Sequence, residues 1–461
     1  MKRLLIGGLI ISMSTTLLFA QQKGVSSAQM QEIKKGYNAN DPYTKAMTNA
    51  LSNNDIKKLA LNRAKVNVTD HNFKYKVKVK GITDQHSSGR CWMFTSYNTL
   101  RPKVMDKLNI SSFEFSQNYL YFWDIFEKSN LFLEKVIETS NEAYDSRHVE
   151  FLFKSPISDG GVWNSFVNLI KKYGTVPKSV MPETHSSQNT GMVNRLINRK
   201  LREHGYILRE MAANKKSASD ISAAKVNMLS EIYRMLSLNL GEPPTEFNWR
   251  YENKENVLSD WKTYTPLSFA AEMLPEVNYD EYVMLMNDPT RPYYEYYEIT
   301  DYRNVYEGIN WKYINLPADV LKQAAMESIK GNEAMYASCD VGKQMNREQG
   351  ISEVNALDYE SVYGVKFGMD KKARILTRES GSSHGMALVA VDVDKNEKPV
   401  MWQFENSWGP SAGHNGYLTF TDEWFSEYMF RLVVQKKFLP KKVVKVLDKK
   451  PVVLPPWDFM F

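Results

Sequence analysis

Cysteine is almost absent. The 461-residue chain has two, Cys91 and Cys339. A chain long enough to bury several cores needs no disulfide, so a bridged scaffold is excluded and a Cys91–Cys339 bridge is not expected. Histidine is also sparse, with seven residues at 71, 86, 148, 185, 204, 384 and 414. They are dispersed and no second cysteine lies near Cys91, so neither a metal nor another cofactor is expected. No charge of one sign dominates: 59 Lys and Arg face 53 Asp and Glu, a net charge of +6. Nucleic-acid binding needs a concentrated basic patch, and the one dense stretch is Lys436 to Lys450, which reads as a solvated tail. Internal repeats are absent.

Long apolar runs are missing everywhere except at the start. Met1-Lys2-Arg3 precedes Leu4 to Phe19, which Gly7, Gly8, Ser12, Ser14, Thr15 and Thr16 interrupt before Ala20 and a polar run. That is the pattern of a secretory signal occupying residues 1–20, and it is less apolar than a membrane anchor requires. No cysteine stands at the cut, which disfavours a lipoprotein. The signal looks bacterial, and a periplasmic or secreted location is expected, without a membrane anchor once the signal is removed.

What remains is an ordinary globular composition, 43% hydrophobic and 24% charged. Residues 21–40 are polar and read as poorly ordered. Residues 41–66 read as helix, and the strict alternation from Phe73 to Lys80 as a short strand. Helical periods follow over 113–137 and from the Ser158–Trp163 turn to Tyr173, closed by Gly174 and Pro177. These make residues 21–190 an N-terminal arm and a helical lobe. Residues 191–300 read as an inserted helical subdomain with its connection, although a continuation of the first lobe fits as well. From 301 to 437 the character becomes β, with apolar runs Met386–Val393, Val400–Phe404, Tyr417–Phe420 and Phe430–Gln435, read as an antiparallel sheet or barrel. Residues 438–461 form a C-terminal arm. The fold class is α+β with two lobes, and a cleft between them would hold an active site.

Cys91 stands where a Gly- and Ser-containing loop, Asp84 to Arg90, meets an apolar period at Cys91, Met93, Phe94, Tyr97, Leu100, Val104 and Leu108. A thiol in the first turn of a buried helix faces free N–H groups, which would lower its pKa toward a thiolate. Gln85 can turn its amide back toward that sulfur and, with the Cys91 N–H, form an oxyanion hole. By itself the pattern serves equally well for an inert core cysteine. Cys339, in a small apolar run, reads as core.

A nucleophilic thiol needs an imidazole and a group to orient it. His384 lies between Gly381-Ser382-Ser383 and a buried run, at a strand mouth. Asn406 ends the next run in Glu405-Asn406-Ser407-Trp408-Gly409, so adjacent strands would bring it beside His384, with Trp408 covering the pair. His86 is the competing base, and His414 reads as a surface residue. Gly160 and Gly161 would let a substrate backbone approach, or serve only a tight helix entry.

In that order, Gln85, Cys91-Trp92, His384 and Asn406-Ser407-Trp408-Gly409 resemble the papain superfamily of cysteine peptidases. Two departures point to one branch: Ser-Gly-Arg precedes the cysteine, and His384 follows it by 293 residues rather than roughly 130–150. Both are similar to the bleomycin hydrolase/aminopeptidase C branch, with which Asp159-Gly160-Gly161, Leu316-Pro317, Cys339 to Lys343, Ser383 to Met386 and Pro456 to Met460 also agree. The resemblance implies a papain-like fold, a homohexameric ring and stepwise release of N-terminal residues from peptides. It implies Cys91 as nucleophile, His384 as acid and base, Asn406 as orienter and Gln85 as oxyanion donor. Gly160, Gly161, Trp408 and Phe461 would bind substrate, the carboxylate of Phe461 pairing with the substrate's amine. Phe459, where the branch commonly has proline, and an arm read as shorter than usual imply some endopeptidase or dipeptidyl peptidase activity. An endopeptidase and a non-catalytic binding or scaffold protein remain the alternatives.

Overall fold

The computed structural model describes residues 24–66, 69–79, 81–458 and 460. The segment read as a signal, and Phe461, lie outside the described residues. Two compact units form, one from the described residues up to Leu61 with Tyr359–Gly364, the other from the rest.

The first unit holds helices α1 (Ser27–Lys34), α2 (Pro42–Asn53) and α3 (Ile56–Ala60). The polar stretch expected to lack order is thus partly helical, because Ser26 and Gln29 close a reciprocal capping box that satisfies free N–H groups at the entry. The single helix expected over 41–66 is two. Asn54 is extended, and Asp55 caps a new start by accepting from the Lys58 N–H.

In the second unit α4 (Cys91–Leu108), α5 (Gln117–Glu138), α6 (Arg147–Lys154) and α7 (Trp163–Tyr173) build the helical core. Gly174 (φ +70) ends α7, and a Cβ there would lie 2.3 Å from the Pro266 carbonyl oxygen. The short α8 (His185–Gln188) leads to α9 (Thr190–Ala213) and α10 (Ala218–Leu240). Ile197, Leu201, Leu208, Ile232 and Leu236 of this pair are buried in the same core as Leu120, Phe122 and Leu133 of α5. Their apolar faces close on α5, so they extend the first core.

One mixed sheet carries the other half. Its strands are β1 (Tyr75–Lys76), β4 (Tyr282–Met286), β5 (Glu295–Ile299), β6 (Lys312–Asn315), β7 (Met335–Cys339), β8 (Met345–Asn346), β9 (Ile351–Ser352), β10 (His384–Val393), β11 (Pro399–Glu405), β12 (Tyr417–Thr421), β13 (Met429–Gln435) and β14 (Val452–Leu454), while β2 (Phe247–Trp249) and β3 (Lys262–Tyr264) pair apart. The order is β14-β5-β6-β4-β13-β7-β10-β11-β12-β9-β8, with β1 also on β10. Three pairings, β4/β6, β5/β14 and β9/β12, are parallel, where an antiparallel arrangement was expected. The sheet also begins before residue 301, since β4 and β5 belong to it. Of the described residues in the strand expected over 73–80, only Tyr75–Lys76 form a ladder.

The lysine-rich stretch 436–450 is not a solvated tail. It folds into short helical turns whose Val443 and Val446 are buried in the sheet's core, leaving the lysines outside. Among the described residues no helix is long and apolar enough to cross a membrane.

Candidate active site

Cys91 is the first residue of α4. Its neighbour Arg90 is fully buried and anchors the entry by a paired contact with Glu183, Nη1 and Nη2 donating at 3.1 and 2.9 Å. The helix then lies against β7 and β10. That packing brings Cys91 to the strand mouth where His384 opens β10, and the Gly385 N–H donates to Cys91 Sγ at 3.5 Å. His384 Nε2 donates to Asn406 Oδ1 at 2.8 Å, which fixes the tautomer and leaves Nδ1 as the basic nitrogen. Asn406 Oδ1 also accepts from the Ser407 N–H at 2.8 Å, so the amide cannot turn freely. The Trp408 ring lies 4.8 Å from that of His384, tilted by 31°, and covers the bond.

The loop before the helix is laid alongside the Asn406 segment. Gln85 N–H donates to Ser407 O at 2.9 Å, Gly409 N–H to Thr83 O at 3.1 Å, and Ser407 Oγ to Gln85 Oε1 at 2.7 Å. With its oxygen held, Gln85 presents Nε2. One proton goes to Ser88 O at 2.6 Å and the other remains for the cleft that Gln85 lines.

The cleft has a volume of about 540 Å3 and brings together Gln85, Cys91, Gly160, Gly161 and His384 with Arg431 and Met460. Gly161 is accounted for by Trp92, since a Cβ would stand 2.6 Å from the indole; at Gly160 there is room. Trp408 acts on His384 rather than lining the cleft. Phe461 lies outside the described residues, but Met460 before it is buried in the cleft wall, its carbonyl accepting from Arg431 Nη2 at 2.6 Å. The arm carrying it is anchored by Trp457 against Arg147 (4.7 Å) and by Asp458, which accepts from Arg291 Nη2 at 2.9 Å.

His86 is exposed and 3.6 Å from Asp84 Oδ2, and it does not line the cleft. His414 is exposed, stacked on His71 at 3.9 Å. Cys339 is buried opposite His384 in the β7/β10 ladder, and both cysteines are free. Among the described residues no cluster could hold a metal.

The thiol departs from expectation. The N–H groups of Gly385, Trp92 and Cys91 do lower its pKa, but burial is the larger effect and pushes it up, with the Asp159 carboxylate adding to the rise. Burial pulls His384 down to about 4 against a smaller opposing pull from Asn406.

Sequence reasoning missed Ser407, Arg431, Met460 and Asp159. Ser407 follows Asn406 and Asp159 precedes the two glycines, so both were visible as neighbours. Met460 lies in the stretch Pro456 to Met460 that agrees with the branch, while Arg431, in the run Phe430–Gln435, carries no local signal of a place in the cleft.

Residues 24–461 match the model of the Peptidase C1-like family. Bleomycin hydrolase of Mus musculus is 39% identical over 448 residues, covering 95% of this chain and 98% of that protein. Aminopeptidase C of Listeria monocytogenes is 40% identical over 390 residues, 84% of this chain and 87% of that one. The crystal structure of PepW from Lactobacillus rhamnosis, 37% identical, superposes with a TM-score of 0.91 over 95% of this chain and 99% of its own.

Proposed function

The chain belongs to the Peptidase C1-like family, and from that premise we propose that it is a cysteine aminopeptidase working through Cys91, His384, Asn406 and Gln85. His384 Nδ1 takes the thiol proton as Sγ attacks the carbonyl carbon of the scissile amide. The oxyanion is received by Gln85 Nε2–H and by the Cys91 N–H, which has no carbonyl ahead of it in the helix. The imidazolium returns its proton to the leaving amine, and a thioester to the substrate's first residue remains. Water, deprotonated by the same nitrogen, attacks that thioester; the carboxylic acid leaves and the thiol is restored. Asn406 holds the ring in the one tautomer that serves both halves.

The observation that carries the exopeptidase reading is Met460 in the wall of the cleft that holds Cys91. An arm lying there leaves room on the acyl side for a short substrate only. The carboxylate of Phe461, next in the chain, would meet its free amine. The test compares amino-acid amides with their N-acetylated forms. A preference for the free amine supports the reading. Equal cleavage of blocked peptides makes the protein an endopeptidase, and no thiol-dependent turnover makes it a binding protein.

The assembly is proposed to be a homohexamer, which light scattering at micromolar concentration tests against a monomeric mass. Residues 1–20 are proposed as a cleaved signal that sends the chain to the periplasm or the medium. Cell fractionation and N-terminal sequencing of the product decide this.

A further inference from the structure

The chemistry above leaves one hydroxyl of the cleft without a task. Gly385, Ser338 and Arg431 stand in one row across β10, β7 and β13, and Tyr336, two residues from Ser338, shares its face of the sheet. All four line the cleft that holds Cys91. Gly385 brings no side chain into the row, and the phenol reaches toward the gap: a Cβ there would stand 3.4 Å from the Tyr336 hydroxyl. The same glycine donates its N–H to Cys91 Sγ, so the phenol ends beside the nucleophile.

Tyr336 is only 2% exposed, yet among the described residues its hydroxyl has no hydrogen-bond partner. Other hydroxyls around the cleft are engaged. Ser338 and Ser382 bond each other, Ser88 donates to Gln85 O at 2.6 Å, and Ser383 donates to Cys339 O at 3.3 Å. A buried donor left unpaired is unfavourable, and one that opens on a substrate cleft recovers the loss when a ligand brings the acceptor. Burial keeps the phenol protonated, so it can donate. Arg431 sets the sign of the ligand. Its Nη2 supports Met460 O, and its positive charge stays in the wall, where a second cation is disfavoured and an oxygen acceptor is favoured.

We propose that Tyr336 and Arg431 line a subsite for the side chain of the substrate's first residue, and that the Tyr336 hydroxyl donates to an acceptor oxygen there, of a carboxamide or a carboxylate. The inference rests on the aminopeptidase reading, which puts the wall of Met460 on the acyl side. It makes Tyr336 a specificity-determining residue: a first residue of the same shape without the oxygen leaves the donor unpaired.

The test is Tyr336→Phe in the full chain, which removes the hydroxyl and little else. Asparagine and leucine side chains are nearly the same shape, so the readout is the kcat/KM ratio of asparagine amide to leucine amide. That ratio is expected to fall about tenfold, the worth of one hydrogen bond. A parallel fall in the ratio of aspartic acid α-amide to leucine amide shows that a carboxylate is taken as well. Equal losses on all substrates would reduce the hydroxyl to a structural role, and an unchanged asparagine-to-leucine ratio would leave it without contact to the side chain; either overturns the subsite. So does a fall confined to the ratio of leucine amide to N-acetylleucine amide, which would give the hydroxyl to the α-amine. A parent enzyme with no preference for free amines removes the aminopeptidase reading instead, while N-acetylasparagine amide against N-acetylleucine amide still judges the subsite.

Discussion

Ser407 Oγ donates to Gln85 Oε1 at 2.7 Å, joining the segment that orients His384 to the loop that presents the oxyanion donor. One hydroxyl thus decides which end of the Gln85 amide faces the cleft. Gln85→Ala is expected to lower kcat by about 10²–10³, the usual effect of losing an oxyanion donor. Ser407→Ala leaves the donor in place but free to turn, and a loss of about tenfold, equivalent to one hydrogen bond, is expected. Steady-state kinetics with circular dichroism checks both. Unchanged turnover in Gln85→Ala would hand the oxyanion to another group.

The two thiols separate by position. Cys91→Ala is expected to abolish hydrolysis in a folded protein. Cys339→Ala removes a buried sulfur from β7 and is expected to cost about 1–2 kcal/mol of stability with activity retained. Among the histidines, His384→Ala is expected to lose several orders of magnitude and His414→Ala to stay near the parent. Loss of activity in a fully folded Cys339→Ala protein would contradict the assignment.

Much of this site was legible in the chain because its chemistry is written in contiguous motifs. Gln85 and Cys91 share one loop and helix start, and His384 and Asn406 stand at the ends of two runs that become neighbours β10 and β11. Strands β10 to β13 followed from their apolar runs and the turn residues between them. What failed was set by distant packing. The thiol was judged from its helix terminus, while the burial that outweighs it follows from the packing of α4 on β7 and β10. Val443 and Val446 were lost among seven lysines, although their spacing of three marks one buried face. The runs Tyr282–Met286 and Val452–Leu454 are strands because β13 and β5 accept them, which no local pattern announces.

The acid limb of activity follows from His384. A ring in water titrates near 6.5, but burial holds this one at about 4. The base acts only when unprotonated. As pH falls through 6.5 the ring therefore stays competent, and half of it is lost only near 4. kcat/KM is expected to hold to pH 5 and then decline. A limb centred at 6.5 would mean that the ring titrates as if solvated, and the geometry with Trp408 and Asn406 would be wrong.

Arg101 and Glu405 form a buried pair at 2.7 Å between α4 and the end of β11. Burial still pushes the Glu405 carboxyl up to about 7, against the guanidinium beside it. Glu405→Ala leaves that guanidinium buried without its carboxylate, and a loss of about 3–5 kcal/mol is expected in urea denaturation. Arg101→Met with Glu405→Leu is expected to recover most of it. A small loss in the single variant would mean that water reaches the pair.

The arm prediction joins packing to specificity. Trp457 on Arg147 and Asp458 on Arg291 fasten the chain outside the catalytic machinery, and Met460 then stands in the cleft wall through Arg431. Asp458 Oδ1 also accepts from the Met460 N–H at 3.1 Å, so the same carboxylate that latches the arm sets the turn at its tip. Deleting residues 456–461 removes the obstacle while leaving Cys91, His384, Asn406 and Gln85 untouched. Cleavage of N-acetylated peptides is expected to rise by about an order of magnitude, and that of free amino-acid amides to fall. Asp458→Asn, which keeps the arm but weakens its latch from an ion pair to a guanidinium donating to a neutral amide, is expected to move both rates the same way by a smaller factor. Rates unchanged in the deletion would show that the cleft is already open to longer chains, and the preference for free N-termini would have to come from elsewhere in its wall.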